Sequence, residues 1–362
     1  MVSLQDISEY RKNKFCVSKL KYISTENMLQ NFAGIIPYTS EEDISGVEFC
    51  VGDTLLANIR PYLRKAWLAT HDGACSTDVL ALCPLDITPA FLNNIIEQDR
   101  FIDYVMSGVK GSKMPRGDKA HILAYETAIP SLLEQEKINS FMQLLHQRIA
   151  KIQMEIELLK KYKRGVNNQI LSQIDNSYNC RLGSVCEIVG GGTPDTLHTE
   201  YWGNTVEWFT PSEIGKTKYV NNSVRKLSDI GLDNSSAKLL PIGTVLLTTR
   251  ATLGEMSIAK RECSTNQGFQ SLIPHTDRVS SEYLYYMQII IKPWCEKYAS
   301  GNTFREISKS ALSDCIIPIP DRARQEQIVK LLSSIDMLIG AAESISMSLS
   351  KIRHGLMQQL FI

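Results

Sequence analysis

The sequence predicts an α+β protein written twice: two mixed α/β globular regions, each followed by one long helix, the two helices pairing as an antiparallel coiled coil and the halves forming an internal pseudo-two-fold repeat. Three observations predict it. Motifs recur at an offset of 190 residues, two stretches of about 40 residues carry heptad seams, and the remainder holds apolar runs of strand length separated by turn residues.

The first globular region is assigned to residues 1–133. Its strand-like runs are TLLANI (54–59), AWLA (66–69) and VLALC (79–83), and FLNNIIEQDRFIDYVMSG (91–108) has the spacing of one helix. A polar, basic loop follows, VKGSKMPRGDK (109–119).

The first long helix is assigned to 134–175. Its heptad a/d positions are Ile138, Met142, Leu145, Ile149, Ile152, Ile156, Leu159, Lys163, Val166 and Ile170, an apolar seam interrupted only by Lys163. An ordinary core helix is shorter than this, and no internal proline breaks it.

The second region, 176–321, repeats the plan with VCEIV (185–189), TVLLTT (244–249), MSIA (256–259) and CIIPI (315–319). A helix is expected over 281–301, followed by the loop GNTFREISKS (301–310). The second long helix, 322–362, places Ile328, Leu332, Ile335, Ile339, Ala342, Ser346, Leu349, Arg353, Leu356 and Leu360 on its seam. Arg353 stands 190 residues after Lys163, so the basic exception recurs as well.

The same offset relates Ile129-Pro130 to Ile319-Pro320, Gln135-Glu136 to Gln325-Glu326, and Gly165 to Gly355. GDTLLANIR (52–60) resembles GTVLLTTR (243–250), and CSTD (75–78) resembles CSTN (263–266). Two such helices in one chain most simply pair with each other and act as a spacer.

Composition narrows the function classes. The chain has 362 residues with 39 basic and 39 acidic side chains, enough to bury two or three cores. No apolar run is long enough to span a membrane, and MVSLQDISEYRKNK lacks the apolar core of a signal peptide, so a cytoplasmic location is expected. The nine cysteines form no CxxC pair and the six histidines no HExxH pattern. Buried thiols, no disulfide framework and no metal are expected. Neither region is basic as a whole, with 13 basic against 16 acidic residues in 1–130 and parity in 178–320, so a nucleic-acid contact has to come from local clusters.

Searches for catalytic motifs fail. TPSEIGKT (210–217) lacks the first glycine of a phosphate-binding loop, no Asn-Pro-Pro-aromatic or Asp-Pro-Pro-aromatic motif occurs, and Pro194-Asp195 is not followed by an acid-x-Lys pair. The chain is expected not to be an enzyme by itself. In GGGTPDTLHTEYWGN (190–204) the glycines are expected to form a positive-φ turn leaving a strand, with Tyr201 and Trp202 packing near a ligand-facing surface and Thr193 and His198 as contact candidates.

These residues together resemble the specificity subunits of type I restriction-modification systems. The resemblance rests on GGGTPDTLHTEYWGNTVEWFTPSEI, KYISTENML (21–29), GDTLLANIRPYLRKAW, GSKMPRGDK and the Pro-then-Gln-Glu helix starts, and it extends along essentially the whole chain. It implies that each region is a target-recognition domain reading half of a split double-stranded DNA site, while the helices set the gap and dock two modification subunits, with restriction subunits joining them. It further implies no cofactor in this chain, with S-adenosylmethionine, ATP and Mg used by the partners, which methylate adenine and cleave DNA.

Under that resemblance the candidate DNA-binding residues are Arg60, Lys113, Arg116 and Lys119 in region one and Thr193, Arg250, Gln267, Asn302, Arg305 and Lys309 in region two. Arg reads guanine, and Asn or Gln reads adenine, through paired hydrogen bonds. For Arg60 and Arg250 an internal ion pair is the competing role. Region one has no GGTP opening, so the halves of the site are expected to be unlike, and the chain is expected to start in a recognition domain and finish with a spacer helix. A stand-alone nuclease or methyltransferase, and a coiled-coil scaffold that binds protein instead of DNA, are the rival readings.

Overall fold

A computed structural model describes residues 1–111, 113–250, 252–301 and 305–360. The chain divides into two compact units, Met1–Met154 with Ala342–Ile362, and Glu155–Ala341. Each unit holds one globular head and one segment of each long helix, so both helices cross the boundary.

The long helices span Leu132–Ser172 and Arg322–Gln359. The first begins two residues before the expected Glu134, because Ser131 supplies the cap. The Glu134 amide donates to Ser131 Oγ at 3.4 Å, and the Ser131 amide donates back to the Glu134 carboxylate at 3.0 Å. Asp321 caps the second helix by accepting the Arg324 amide at 2.8 Å.

Seam positions are buried or half-buried along both helices, and only Leu360 at the far end is exposed. In the first unit Met142 and Met357 share one core cluster, and Arg353 stands 3.5 Å from His146 Nδ1. In the second unit Lys163 pairs with Asp336 at 2.6 Å. In both units residue numbers rise along one helix as they fall along the other, so the segments run antiparallel. The basic interruptions of the seam are therefore polar contacts between helices.

In the first head a four-stranded antiparallel sheet has the order Ser8–Tyr10, Val79–Pro84, Thr54–Ala57, Ala66–Leu68. Its central strands are buried on both faces, which is why TLLA and VLAL read as unbroken apolar runs. Alternation sends Leu56, Leu80 and Leu82 to one core and Leu55, Ala57 and Ala81 to another. The second head has the matching order Cys186–Gly190, Gln270–Pro274, Val245–Leu247, Met256–Ala259, with Tyr219–Val220 added at the edge.

The second sheets of the heads differ. Head one has Lys14–Ser18, Asp43–Phe49, Gly73–Cys75 and Tyr22–Ile23; head two has Arg225–Leu227, Trp202–Phe209 and Cys263–Thr265. The repeat is thus faithful in one sheet and divergent in the other.

Two expectations are corrected. The stretch 91–108 is not one helix but two, Pro89–Ile96 and Asp99–Ser107, because Gln98 takes an extended backbone. The step lets Phe91, Leu92, Ile95 and Ile96 and then Phe101, Ile102 and Val105 all face one core. The stretch 281–301 breaks at the equivalent place into Ser281–Tyr286 and Gln288–Tyr298, on either side of Met287. The cysteines, secondly, are not uniformly buried: Cys75, Cys186, Cys263, Cys295 and Cys315 are, Cys50, Cys83 and Cys180 are half-buried, and Cys16 is exposed.

Each head is joined to its own long helix by a buried glutamine. Gln135 accepts the Thr88 amide at 2.9 Å and donates to the Pro130 carbonyl at 3.0 Å. Gln325 accepts the Ser280 amide at 3.1 Å and donates to the Pro320 and Arg278 carbonyls at 2.9 and 2.8 Å. Thr88 and Ser280 are themselves the N-caps of the first head helices, so one side chain ties strand end, head helix and long helix together.

Candidate nucleic-acid interface

Three segments converge in head one: residues 58–60, which leave the strand Thr54–Ala57, the turn 76–78, and the loop 109–118. The Asn58 amide donates to the Asp78 carbonyl at 2.8 Å, the Arg60 amide to the Pro115 carbonyl at 2.8 Å, and the Gly117 amide to the Asn58 carbonyl at 3.1 Å. Lys110 and Arg116 close the loop by exchanging backbone hydrogen bonds of 2.9 and 3.0 Å. Asp118 ends it as the N-cap of Lys119–Leu123. An ion pair with Lys110, then the His121 and Ala120 amides, hold the Asp118 carboxyl down at about 2.

The corresponding segments converge in head two. The Thr249 amide donates to the Gly268 carbonyl at 2.8 Å, and Ser300 and Glu306 close their loop with backbone bonds of 3.0 and 2.9 Å, at the same offset of 190 from Lys110 and Arg116. Ser308 stands in the place of Asp118 and caps Lys309–Ser313.

These contacts bring most of the candidates together. Arg60, Lys113, Arg116 and Lys119 are exposed around the loop of head one. Arg60 has a left-handed backbone (φ 51°), and among the described residues it makes no ion pair. Arg116 Nη2 lies 3.0 Å from Asp78 Oδ1. In head two Arg250 Nε lies 2.8 Å from Glu306 Oε2, so the ion-pair role weighed for Arg250 is present, while for Arg60 it is not. Thr193 Oγ1 donates to Gln267 Oε1 at 2.5 Å, both side chains being exposed. Arg305 donates to the Glu296 carbonyl, and Lys309 is exposed. Asn302 lies outside the described residues. His198 is turned to its own loop, 2.8 Å from Glu200 and stacked on Tyr201.

The glycine expectation is corrected. None of Gly190, Gly191 and Gly192 has a positive φ. Two of them are needed for close packing instead: a Cβ on Gly191 would stand 2.1 Å from the Asn266 carbonyl oxygen, and one on Gly192 would stand 2.3 Å from Ser236 Oγ. The loop is pinned by the Gly192 amide to the Thr265 carbonyl (2.9 Å) and by Trp208 Nε1 to the Gly192 carbonyl (3.0 Å). It therefore delivers Thr193 to Gln267 at the convergent segments. Trp202 meets Trp208 edge-on, and the Arg225 guanidinium lies 3.4 Å from the Trp202 ring centre.

Charge is locally basic where the segments meet. In head one, residues 58–60, 76–79 and 109–119 carry five basic side chains against two acidic; in head two, 248–250, 266–269 and 299–309 carry three against one. A chain of zero formal net charge thus concentrates cations at one place in each head. The acidic partners Asp78 and Glu306 were missed in the sequence. Asp78 ends the repeated CSTD motif, but nothing in a linear reading says which arginine it meets. Among the described residues, no three His, Cys, Asp or Glu side chains are grouped as metal ligands.

Residues 175–347 match the type I restriction modification DNA specificity domain. The chain is 35% identical over 186 residues to the MjaIX specificity subunit of Methanocaldococcus jannaschii, covering 50% of this chain and 43% of that one. It is 25% identical over 219 residues to the EcoR124I/EcoR124II specificity subunit of Escherichia coli, covering 58% and 53%. Its matched part thus spans about half the length of these curated relatives. A solved chain from a study of complex assembly and conformational transition of the type I R-M system superposes with a TM-score of 0.65 at 20% identity, over 99% of this chain and 96% of that one, which shows a shared fold.

Proposed function

We infer a DNA-reading role for this chain, which belongs to the family of type I restriction-modification specificity subunits. Heads 1–133 and 176–321 are target-recognition domains that read the two halves of a split site in double-stranded DNA, and helices Leu132–Ser172 and Arg322–Gln359 set the gap between them. The observation that carries this reading is the convergence of the same three segments, locally basic, in both heads. Phosphates are met by the lysines and base edges by arginine, asparagine and glutamine.

The half-sites are unlike. The heads share one sheet order but differ in the second sheet, and only head two carries the GGGTP loop that brings Thr193 to Gln267. A helix of 41 residues is about 60 Å long at 1.5 Å per residue, which exceeds one turn of B-DNA at roughly 34 Å.

Two modification subunits dock on the helices, restriction subunits join them, and methyl transfer and cleavage with S-adenosylmethionine, ATP and Mg belong to those partners in the cytoplasm. No helix among the described residues is long and apolar enough to cross a membrane. Mapping methylated adenines in the host genome with and without this gene tests the whole proposal. A split, asymmetric motif that disappears on deletion supports it, and an unchanged methylation map with expressed partner subunits overturns it.

A further inference from the structure

The two heads hold their arginines in opposite ways. Position 116 is arginine and its repeat equivalent, 306, is glutamate; position 60 and its equivalent, 250, are both arginine. Head one forms Arg116–Asp78, with the guanidinium on the 109–118 loop and the carboxylate on the turn. Head two forms Arg250–Glu306, with the guanidinium on the segment leaving the strand and the carboxylate on the loop. The turn position of head two is Asn266, whose Oδ1 accepts the Gly268 amide at 2.9 Å and, among the described residues, no arginine.

A carboxylate beside a guanidinium does two things. It removes rotamer freedom from a long side chain, and it occupies one part of a fork of five N–H donors. Arg250 meets Glu306 through Nε, an edge distinct from the Nη1–Nη2 end that suits a pair of acceptors such as O6 and N7 of guanine. Arg116 meets Asp78 through Nη2, so a different edge of its guanidinium carries the ion pair. Glu306 is fixed in its turn by Thr249 Oγ1, which donates to it at 3.4 Å. Arg116 and Arg250 remain about half exposed, so part of each side chain is open to a ligand.

Resting on the DNA-reading role argued above, we propose that Asp78 and Glu306 are positioning residues for base recognition: each aims one arginine at a base, and the different placement of the pair, guanidinium on the loop and carboxylate on the turn in head one, guanidinium at the strand end and carboxylate on the loop in head two, makes the heads read different bases. Arg60, which makes no ion pair among the described residues, serves as a phosphate contact.

The test maps the methylated motif in cells expressing the full chain with its partner subunits, as wild type, D78N, E306Q, R116A or R250A. D78N relaxes one position of one half-site and E306Q one position of the other, at the positions relaxed by R116A and R250A respectively. In the purified complex, discrimination between the wild-type duplex and a single-base variant at that position falls by roughly five- to hundredfold, while affinity for unrelated DNA stays the same. If the arginine variants change the motif but D78N and E306Q do not, the positioning role is overturned and the DNA-reading role stands. If none of the four changes the motif, both fall. A variant that methylates nothing is assessed in the purified complex, where equal loss on matched and mismatched duplexes marks the carboxylate as structural and overturns the proposal.

Discussion

Lys163 Nζ stands 2.6 Å from Asp336 Oδ1 on the facing helix of the second unit, and Asp336 Oδ2 also accepts the Tyr286 hydroxyl at 2.8 Å. The one basic residue in the apolar seam of the first helix is thereby tied to both the other helix and the second head. Lys218 adds to the cluster, with Nζ 3.1 Å from the Tyr286 hydroxyl and from Ser333 Oγ. Burial lowers its pKa, opposed by the charge of Asp336.

Removing the carboxylate alone leaves Lys163 without its partner in a half-buried seam. D336A should therefore lower stability by about 2 kcal/mol, below the cost for a fully buried pair because both side chains keep about a quarter of their exposure. Replacing both members, K163M with D336L, should cost less than D336A alone. Urea unfolding followed by circular dichroism checks the order of the three proteins.

Gln325 and Gln135 are each 1% exposed and hydrogen-bond backbone groups at the head–helix joint. Q325L should destabilise the chain by about 2–3 kcal/mol and Q135L by about 2 kcal/mol, since an apolar side chain leaves buried amide and carbonyl groups unpaired. Asn at either position is too short by one methylene to reach both groups and should behave like Leu, which the same unfolding measurement reads.

The three glycines of GGGTP should differ sharply. Alanine at 191 or 192 meets atoms closer than 2.5 Å and should cost about 2 kcal/mol or more, whereas alanine at 190 finds nothing nearer than 3.8 Å and should change the melting temperature little. Thermal unfolding of the three single variants decides it, and equal effects would contradict the close-packing role.

Burial pushes the thiols of Cys75, Cys186, Cys263, Cys295 and Cys315 up to about 12. At pH 8 these five should be inert to a thiol reagent in the native protein, Cys16 should react first, and all nine should react in denaturant. Mass spectrometry of the labelled peptides gives the order.

The repeat, the long helices and their seams were legible in the sequence because periodicity is a local property that tertiary contacts only reinforce, as Ile152, Ile156 and Ile328 show by being buried where the heptad places them. The convergent basic segments were legible in part, since Arg116, Arg250 and the CSTD and CSTN turns stand at repeated positions. Three matters were decided only in the tertiary structure. The break at Gln98 follows from the need to turn two apolar faces toward one core, which no single helical period reveals, and the break at Met287 stands at the equivalent place. The glycines at 191 and 192 are required by chain segments 44 or more residues away. The pairing of Arg116 with Asp78, and of Arg250 with Glu306, joins residues 38 and 56 positions apart whose meeting depends on how strands and loops stack. Sequence determines which side chains are available; which of them share a hydrogen bond is set by packing, because the energy of each such pair exists only when distant backbone has already brought it within about 3 Å.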